Sequence, residues 1–540
     1  MRRSSTCRTL SPLAAMATTL LLLAVPLRAQ TLRTESEASG FTRHTSYDSM
    51  MTYLDAVRAT STEMRLGTYG ETWNGRALPY AIFSRPGVTQ PWEAWSLDKP
   101  IVVFAANVHG GERTLRESLL LMIRELATTG TPANALLDDL VILVVPQINP
   151  DGFSATARGT RGNAWGIDLN RDYIKLEHPE IASYVKDIVL GWGAHLFIDG
   201  HNGGSYPYNI NYLCPTHADP DQRIAALCDQ EIFPLIDARL RAAGYKSWYY
   251  QRGTRTRWNV GGSEARIGRN YGGFANGIAI LFESPGSQEM ADGVKAGQIA
   301  YTTVAEYVRD NAAKVMELVE RARRETIEMG EAARGDIVVQ MEYGPENRQV
   351  TYEIGVGQGD ERRAVTVQSD SLMKRPIPTK VRPRPYAYML PRDAREAVAM
   401  LRRHGIAVEV LQDTATLQVD AYTLAGIEYE RAYNHAAATV VTVGEVITTS
   451  RTFPAGTYVV RTGQVLGRVV AHMLEPETPD NVIYWNTMDA WLPKAALQPR
   501  ASAQADDDDD EGGPGAQSEP PLIPIFKVMR PTPLPARLVP

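Results

Sequence analysis

Short apolar runs alternate with amphipathic segments along the first 330 residues. Nearly continuous apolar runs predict buried strands at residues 100–108, 140–145, 194–198 and 278–282. Apolar residues with helical spacing predict helices at residues 45–62, 113–128, 181–190, 222–243 and 293 to about 333. Two more strands, at residues 64–69 and 77–83, flank a turn at Asn74-Gly75. This alternation predicts an α/β fold with a mixed, largely parallel sheet flanked by helices.

The pattern changes after residue 335. Residues 335–370 have strand-like alternation, and residues 386–411 have the pattern strand–helix–strand. We therefore expect a catalytic-sized domain over residues 40–333 and a smaller α+β accessory domain over residues 335–500. Residues 501–521 have the acidic, Gly- and Pro-bearing composition of a disordered linker. The Pro-rich tail, residues 522–540, either docks on the body or extends from it.

Residues 1–29 have the composition of a secretory signal peptide. Three arginines precede an apolar run, and Ala29 marks a plausible cleavage site. The run is short for a membrane span and no later segment resembles one, so we predict a periplasmic or secreted protein, with an uncleaved N-terminal anchor as the alternative. Cleavage would remove four arginines and no acidic residue, so the formal charge would change from −6 to −10. Residues 506–511 carry six of these negative charges, and nothing indicates a nucleic-acid partner.

Cysteine usage agrees with export. Cys7 lies in the predicted signal peptide, which leaves Cys214 and Cys228 as an even pair. In an oxidising compartment such a pair favours a disulfide, and two free buried thiols are the alternative. The chain lacks the C-x-x-C spacing of a zinc finger.

Four side chains that could bind a metal ion or accept a proton lie at or just after the ends of predicted buried strands. His109 and Glu112 stand in HGGE, His201 ends IDGH, and Glu283 ends AILFE. Two ligands three residues apart, a distant third ligand and a separate carboxylate are the parts of a catalytic zinc site with an open coordination position. The ends of strands are also where open α/β sheets place their active sites. Each residue alone would more often be structural, so the prediction depends on the set.

A second H-x-x-E string occurs at His472 and Glu475. No core strand precedes it, no glycine turn lies within it, and no third ligand matches it. We therefore interpret this string as part of a surface helix rather than as a metal site.

The segment RGNAWGIDLNRDY, which begins at Arg161, adds polar groups. Asp168 could accept the free ring N–H of His109 and so fix the tautomer of that ligand. Asn170 and Arg171 place an amide beside a guanidinium, which binds carboxylates through two hydrogen bonds. Arg161 could stabilise a developing oxyanion. Taken alone, the segment is better explained as a polar loop with surface arginines.

In this order the motifs resemble the carboxypeptidase A-like family of zinc metallocarboxypeptidases. The resemblance covers about residues 40–330 and rests on HGGE (109–112), NPDG (149–152), Arg161, DLNR (168–171), IDGH (198–201) and FE (282–283). Any one motif is weak evidence, whereas the ordered set is highly specific.

The resemblance implies a role for each matching residue. One zinc ion would be held by His109, Glu112 and His201, and Glu283 would act as general base and then general acid on a zinc-activated water. Arg161 would polarise the scissile carbonyl. Asn170 and Arg171 would grip the C-terminal carboxylate, so that the substrates are peptides with a free C-terminus. For the tyrosine that closes over the substrate in this family, Tyr271 is our candidate, with Tyr249 and Tyr250 as competitors.

Two other functions stay open on the sequence alone. Relatives of this fold act as zinc amidases or hydrolyse cell-wall peptides, and such an enzyme would keep the metal but change the substrate. An inactive peptide- or glycan-binding relative is the third possibility, but it should have lost a ligand or the base. All four of these residues are present in this chain.

Overall fold

Four β-sheets organise the computed structural model, which describes residues 32–431, 436–493 and 520–539. The predicted signal peptide and residues 501–519 of the predicted linker lie outside these ranges. The strands are β1 (Met64–Glu71), β2 (Ala77–Phe83), β3 (Ile101–Ala106), β4 (Val141–Val145), β5 (Leu196–His201), β6 (Ile210–Leu213), β7 (Ser247–Tyr249), β8 (Gln251–Gly253), β9 (Trp258–Val260), β10 (Ile278–Glu283), β11 (Asp336–Pro345), β12 (Val350–Val356), β13 (Arg363–Ser369), β14 (Leu372–Pro383), β15 (Ala387–Leu390), β16 (Glu409–Leu411), β17 (Ala415–Glu430), β18 (Ala438–Phe453), β19 (Tyr458–Arg461), β20 (Leu522–Val528) and β21 (Ala536–Leu538).

The helices lie mainly in the first two thirds of the chain. They are α1 (Glu35–Ala38), α2 (Tyr47–Ala59), α3 (Pro91–Trp95), α4 (Thr114–Ala127), α5 (Pro132–Ala135), α6 (Pro150–Ser154), α7 (Pro179–Ser183), α8 (Gln222–Leu227), α9 (Phe233–Ala242), α10 (Gly268–Phe274), α11 (Met290–Asp310), α12 (Ala312–Glu331), α13 (Arg395–Arg403) and α14 (Gly467–Leu474). A π-helical segment, Tyr184–Leu190, extends α7, and another, Cys228–Ile232, joins α8 to α9. The long helix expected after residue 293 is instead the pair α11 and α12, because Asn311 leaves helical geometry (φ −125°, ψ 29°).

The principal sheet has eight strands in the order β1-β2-β4-β3-β5-β10-β6-β7. Its centre, β4-β3-β5-β10, is parallel. The pairs β1-β2, β2-β4 and β10-β6 are antiparallel, and β6-β7 is parallel again. Every residue of β3, β4, β5 and β10 is buried, as expected for parallel strands covered by helices on both faces. The predicted α/β fold with a largely parallel sheet is confirmed.

The C-terminal part is mainly β-structure. Its largest sheet has seven strands in the order β18-β17-β20-β15-β19-β16-β21, so the tail docks and supplies β20 to the interior of the sheet and β21 to its edge. A smaller sheet, β11-β14-β9-β8, combines strands from before and after residue 335. One cluster of buried apolar residues extends from Tyr69 in β1 to Ile525 in β20. Because the two parts share this core, the domain boundary near residue 335 stays a prediction.

The interpretation of His472 and Glu475 as surface helix is wrong. Both side chains are fully buried, on and directly after α14. The Glu475 carboxylate lies 2.6 Å from the Lys527 ammonium of β20 and accepts hydrogen bonds from the hydroxyls of Tyr388 (2.7 Å) and Tyr422 (2.6 Å). Glu475 therefore anchors β20. Its partners lie more than fifty residues away in the chain, so the residues next to it in the sequence do not indicate them.

The two remaining cysteines, Cys214 and Cys228, form a disulfide, with their Cα atoms 6.5 Å apart. It connects the residue after β6 to the helical segment between α8 and α9 and so closes the short loop between them. Within the ranges that the structure describes, no helix combines the length and the apolar character needed to span a bilayer.

Candidate metal centre

The carboxyl ends of β3, β5 and β10 meet at one edge of the principal sheet. His201 is the last residue of β5 and lies opposite Glu283, the last residue of β10, in the parallel register. On the other side of β5, Ala106 at the end of β3 pairs with Gly200, and the chain then turns into the loop that carries His109 and Glu112. Three segments that are far apart in sequence are therefore brought together by the pairing of β3, β5 and β10.

The loop between β3 and α4 is held by Asn107 and by close backbone packing. The Asn107 side-chain amide donates to the carbonyl oxygens of His109 (2.9 Å), Gly110 (3.2 Å) and Glu112 (2.7 Å). Asn107 has a φ of 63°, a conformation that asparagine tolerates better than most residues. At Gly110, a Cβ atom would lie 2.1 Å from the backbone carbon of Gly152. Only glycine fits there, which explains why the loop can fold tightly against the NPDG segment.

The side chains of His109, Glu112 and His201 converge on one point. Nδ1 of His109 lies 2.8 Å from Oε1 of Glu112, and Nδ1 of His201 lies 2.8 Å from Oε2 of the same carboxylate. The two Nδ1 atoms are 3.3 Å apart, and one ligand atom from each of the three residues falls within 4.8 Å of the others. Two imidazole nitrogens and a carboxylate oxygen are a donor set that zinc prefers in catalytic sites.

The outer nitrogen of each histidine faces a second carboxylate. Nε2 of His109 lies 2.9 Å from Asp168, and Nε2 of His201 lies 2.8 Å from Asp199. Such contacts direct the Nδ1 lone pairs inward, as in known metal sites. Burial lowers the pKa of both histidines, but the carboxylates around them more than offset it, so the pKa of each is raised above its usual value. The cluster thus favours positive charge at its centre, and the residues fit a divalent cation.

Glu283 lies beside this cluster. Its side chain is buried, and Oε2 has no hydrogen-bond partner among the described residues. Burial raises the pKa of Glu283, an effect that the positive charge of His201 opposes and the negative charge of Glu112 reinforces. Gly203 leaves room for the carboxylate, because a Cβ atom there would lie 2.5 Å from Oε2. An unpaired buried carboxylate of this kind is suited to accept a proton.

The DLNR segment (168–171) lies against the cluster. Arg161, which precedes this segment, lies at the exposed side of the cluster. The Arg161 side chain is 53% exposed, pairs with Asp168 (2.8 Å) and places Nη1 3.3 Å from Nδ1 of His109. Asn170 is buried with Nδ2 3.4 Å from Nε2 of His201, and its Oδ1 accepts the backbone N–H of Gly268 (2.9 Å). Arg171 donates to the Asn170 carbonyl (2.9 Å). Of the four side chains that the sequence singled out over residues 161–171, Arg161, Asp168 and Asn170 lie against the histidines, and Arg171 contacts Asn170.

Tyr271 is not available to a substrate, so its selection as the closing tyrosine is wrong. It is fully buried in α10, and its hydroxyl bonds to Nδ1 of His404 (2.8 Å) in the core. Tyr249 is buried and donates to Asp229 (3.0 Å). Tyr250 is the competitor whose surroundings include the site: burial raises the pKa of its hydroxyl, and the negative charge of Glu283 raises it further. Tyr249 is the last residue of β7 and Tyr250 lies at the bend before β8, so the two neighbouring side chains have different surroundings.

Arg269 was missed by the sequence analysis. It is buried in the first turn of α10, where burial lowers the pKa of its guanidinium and the positive charge of Arg171 acts in the same direction. A second cation thus lies near Arg171. The surrounding sequence, RIGRNYGG, reads as an ordinary helix start, and nothing in it indicates this position.

A parallel α/β sheet with a His-Glu-His cluster and a free carboxylate at its edge defines a metallohydrolase. Comparison with known proteins makes the class specific. Residues 50–265 match the family model described as zinc carboxypeptidase, a range that includes the three cluster residues and ends 18 residues before Glu283. Over these residues the chain is similar to the zinc metallocarboxypeptidases, and these matches indicate a zinc metallopeptidase.

Named proteins that are similar to this chain are also carboxypeptidases. Carboxypeptidase 2 of Trichophyton equinum is 24% identical over 469 residues, which cover 82% of this chain and 83% of that protein. The carboxypeptidase N catalytic chain of Homo sapiens is 30% identical over 158 residues, or 26% of this chain and 32% of that one. The crystal structure of a metallo-carboxypeptidase from Burkholderia cenocepacia covers 49% of this chain and 70% of its own, with 19% identity and a TM-score of 0.40.

Proposed function

We propose that the protein is an exported carboxypeptidase that holds one zinc ion with His109, Glu112 and His201 and removes C-terminal residues from peptides. One observation carries this proposal: three ligand atoms from separate parts of the chain lie within 4.8 Å of one another beside the buried carboxylate of Glu283. Among the described residues, no other group of three or more histidine, cysteine or acidic side chains meets this criterion.

Zinc, when bound, supplies a Lewis acid that makes water more acidic and polarises a carbonyl group. Glu283 accepts a proton from the attacking water and returns it to the leaving amine, so one carboxylate serves as base and then acid. Arg161, close to His109 and open to solvent, donates to the oxygen on which negative charge develops. Asp168 and Asp199 keep the two histidines oriented throughout.

Asn170 and Arg171 bind the terminal carboxylate of the peptide, with Arg269 adding positive charge behind them. This clamp sets the register, so only the last peptide bond reaches Glu283. Tyr250 is our candidate for the closing tyrosine, since Tyr249 and Tyr271 are committed to Asp229 and His404 and the charge of Glu283 raises the pKa of Tyr250. The signal-like residues 1–29 and the disulfide support a periplasmic or secreted location.

The test compares wild type with Glu283→Gln and with the control Glu317→Gln, which removes an exposed carboxylate paired with Arg321. Each purified protein is assayed for zinc content and for hydrolysis of one peptide with a free and with an amidated C-terminus. We expect Glu283→Gln to retain zinc and to lose about 10²–10⁴-fold in kcat, the usual effect of removing a general base. The control should match wild type, and mass spectrometry should show loss of single terminal residues.

Equal turnover by wild type and Glu283→Gln would remove Glu283 from the mechanism. Equal hydrolysis of the free and amidated peptides would contradict recognition of the terminal carboxylate and favour the amidase alternative. A wild-type protein that neither binds zinc nor hydrolyses either peptide would refute the proposal.

A further inference from the structure

The segment 261–267 lies between β9 and α10 and borders the residues assigned to the substrate carboxylate. At its end, the backbone N–H of Gly268 donates to Oδ1 of Asn170 (2.9 Å). The next residue, Arg269, returns to the segment and donates from Nη2 to the carbonyl oxygen of Gly262. The path of this segment therefore fixes both the orientation of the Asn170 amide and the place of the Arg269 guanidinium.

The C-terminal part of the chain holds the far end of this segment through a buried ion pair. Nε of Arg266 lies 2.7 Å from Oδ1 of Asp480, and the backbone N–H of Arg266 donates to Oδ2 of the same carboxylate (3.2 Å). Asp480 is fully buried and Arg266 is 4% exposed. The rings of Tyr484 and Trp485 lie 5.0 and 5.5 Å from the guanidinium carbon and enclose it.

The near end of the segment is held by a different element of the C-terminal part. Tyr343 in β11 places its hydroxyl 3.0 Å from the carbonyl oxygen of Gly261 and 2.7 Å from Oγ1 of Thr216. Just upstream, β14 pairs in parallel with β9 through Leu372 and Trp258. Residues from beyond position 335 therefore contact the segment at its beginning and at its end, by independent interactions.

We infer that the C-terminal part is a positioning element of the peptidase site, in which Asp480 and Tyr343 set the geometry of the carboxylate-binding side through segment 261–267. The inference rests on the proposed function. A buried ion pair often contributes less stability than apolar packing of similar volume, but it specifies one arrangement of its partners. Here that arrangement is transmitted by the backbone from Arg266 to Gly268, and from Gly268 to Asn170. None of these contacts reaches the His109 loop.

The test uses full-length Asp480→Asn and Tyr343→Phe, which preserve shape and remove a charge or a hydroxyl. The control is Glu409→Gln, which removes a carboxylate paired with Arg461 (2.9 Å) elsewhere in the C-terminal part. For both test variants we expect KM for a C-terminally free peptide to rise about tenfold to a hundredfold, with kcat within about twofold and zinc content unchanged. The control should keep the wild-type KM. Tyr343→Phe removes no charge, so it tests the inference even if Asp480→Asn does not fold.

Hydrogen–deuterium exchange provides a readout that needs no turnover. Exchange should become faster in residues 261–268 of both test variants and stay at the wild-type rate in residues 107–112. Unchanged KM with unchanged exchange in segment 261–268 would overturn the inference, as would a fall in kcat at constant KM. Failure of the proposed function would look different: wild type itself would not hydrolyse the peptide, while the exchange measurement would still decide whether Asp480 and Tyr343 hold the segment.

Discussion

Asp168 offers the sharpest test of how the candidate metal centre is supported. Its carboxylate accepts from Nε2 of His109 (2.9 Å) and from the backbone N–H of Asn170 (2.9 Å), and it pairs with Arg161 (2.8 Å). Asp168→Asn keeps an acceptor oxygen but removes the charge. Asp168→Ala removes both, so the His109 ring loses the partner that fixes its tautomer.

The expected magnitude follows from these contacts. Loss of the outer partner of a metal-binding histidine typically weakens metal affinity about 10–100-fold, or about 1.4–2.7 kcal/mol. Asp168→Asn should lie near the lower value, because the amide oxygen can still accept the ring N–H. Asp168→Ala should lie near the upper value, because His109 is then free to rotate and Arg161 loses its anchor. Zinc affinity should therefore be highest in wild type, lower in Asp168→Asn and lowest in Asp168→Ala.

The assay is a competition between protein and a chelator of known zinc affinity, followed at constant pH for each variant. Asp138→Asn is the matched control, since it also removes a carboxylate paired with an arginine (Arg85, 2.7 Å) but lies far from the site in sequence and is largely exposed. Its zinc affinity should equal that of wild type. Equal zinc affinity in wild type and Asp168→Ala, with both proteins folded, would refute the reasoning and remove Asp168 from the support of His109.

Two further predictions concern stability. Lys527→Met leaves the Glu475 carboxylate buried without its cation and should lower the free energy of unfolding by about 3–5 kcal/mol, whereas adding Glu475→Gln should recover part of it. Urea denaturation measures both, and equal losses in the single and double variants would contradict the argument. Burial lowers the pKa of His404 from 6.5 to about 4, so its contribution to stability is complete above pH 6.5 and is lost as the pH falls towards 4. The deficit of His404→Gln relative to wild type should therefore shrink by up to about 1.4 kcal/mol per pH unit over that range, and a constant deficit would exclude His404 as the cause.

The sheet and the cluster could be predicted from sequence because both depend on local patterns. Continuous apolar runs identify parallel strands, since such strands are buried on both faces. The residues that follow these runs must then meet at one edge of the sheet, whatever their separation in the chain. This logic predicts that His109, His201 and Glu283 lie together, and the glycines around them indicate tight turns.

The parts that could not be predicted depend on contacts between distant segments. Tyr271 and Tyr250 are both tyrosines near the end of the catalytic part. Only the structure shows that Tyr271 bonds to His404 in the core, whereas the charge of Glu283 raises the pKa of Tyr250. Arg269 and Glu475 are likewise charged residues whose burial depends on partners supplied by other elements. A single charged residue forms no repeating pattern of the kind that apolar residues form in strands and helices. Its burial and its partners therefore cannot be predicted from the residues beside it.

The position of β20 explains why the C-terminal part and the peptidase site belong together. Strands β15 and β17 each pair with β20, so the seven-stranded sheet is continuous only when residues 522–528 lie between them. Lys527 in that strand neutralises Glu475, which directly follows α14, and five residues further along the chain Asp480 binds Arg266. Strand β20 is thus connected to segment 261–267 through one short stretch, residues 475–480. A chain without β20 would expose the Glu475 carboxylate and loosen the anchor of Asp480, and so it should lose affinity for the peptide before it loses its metal ligands.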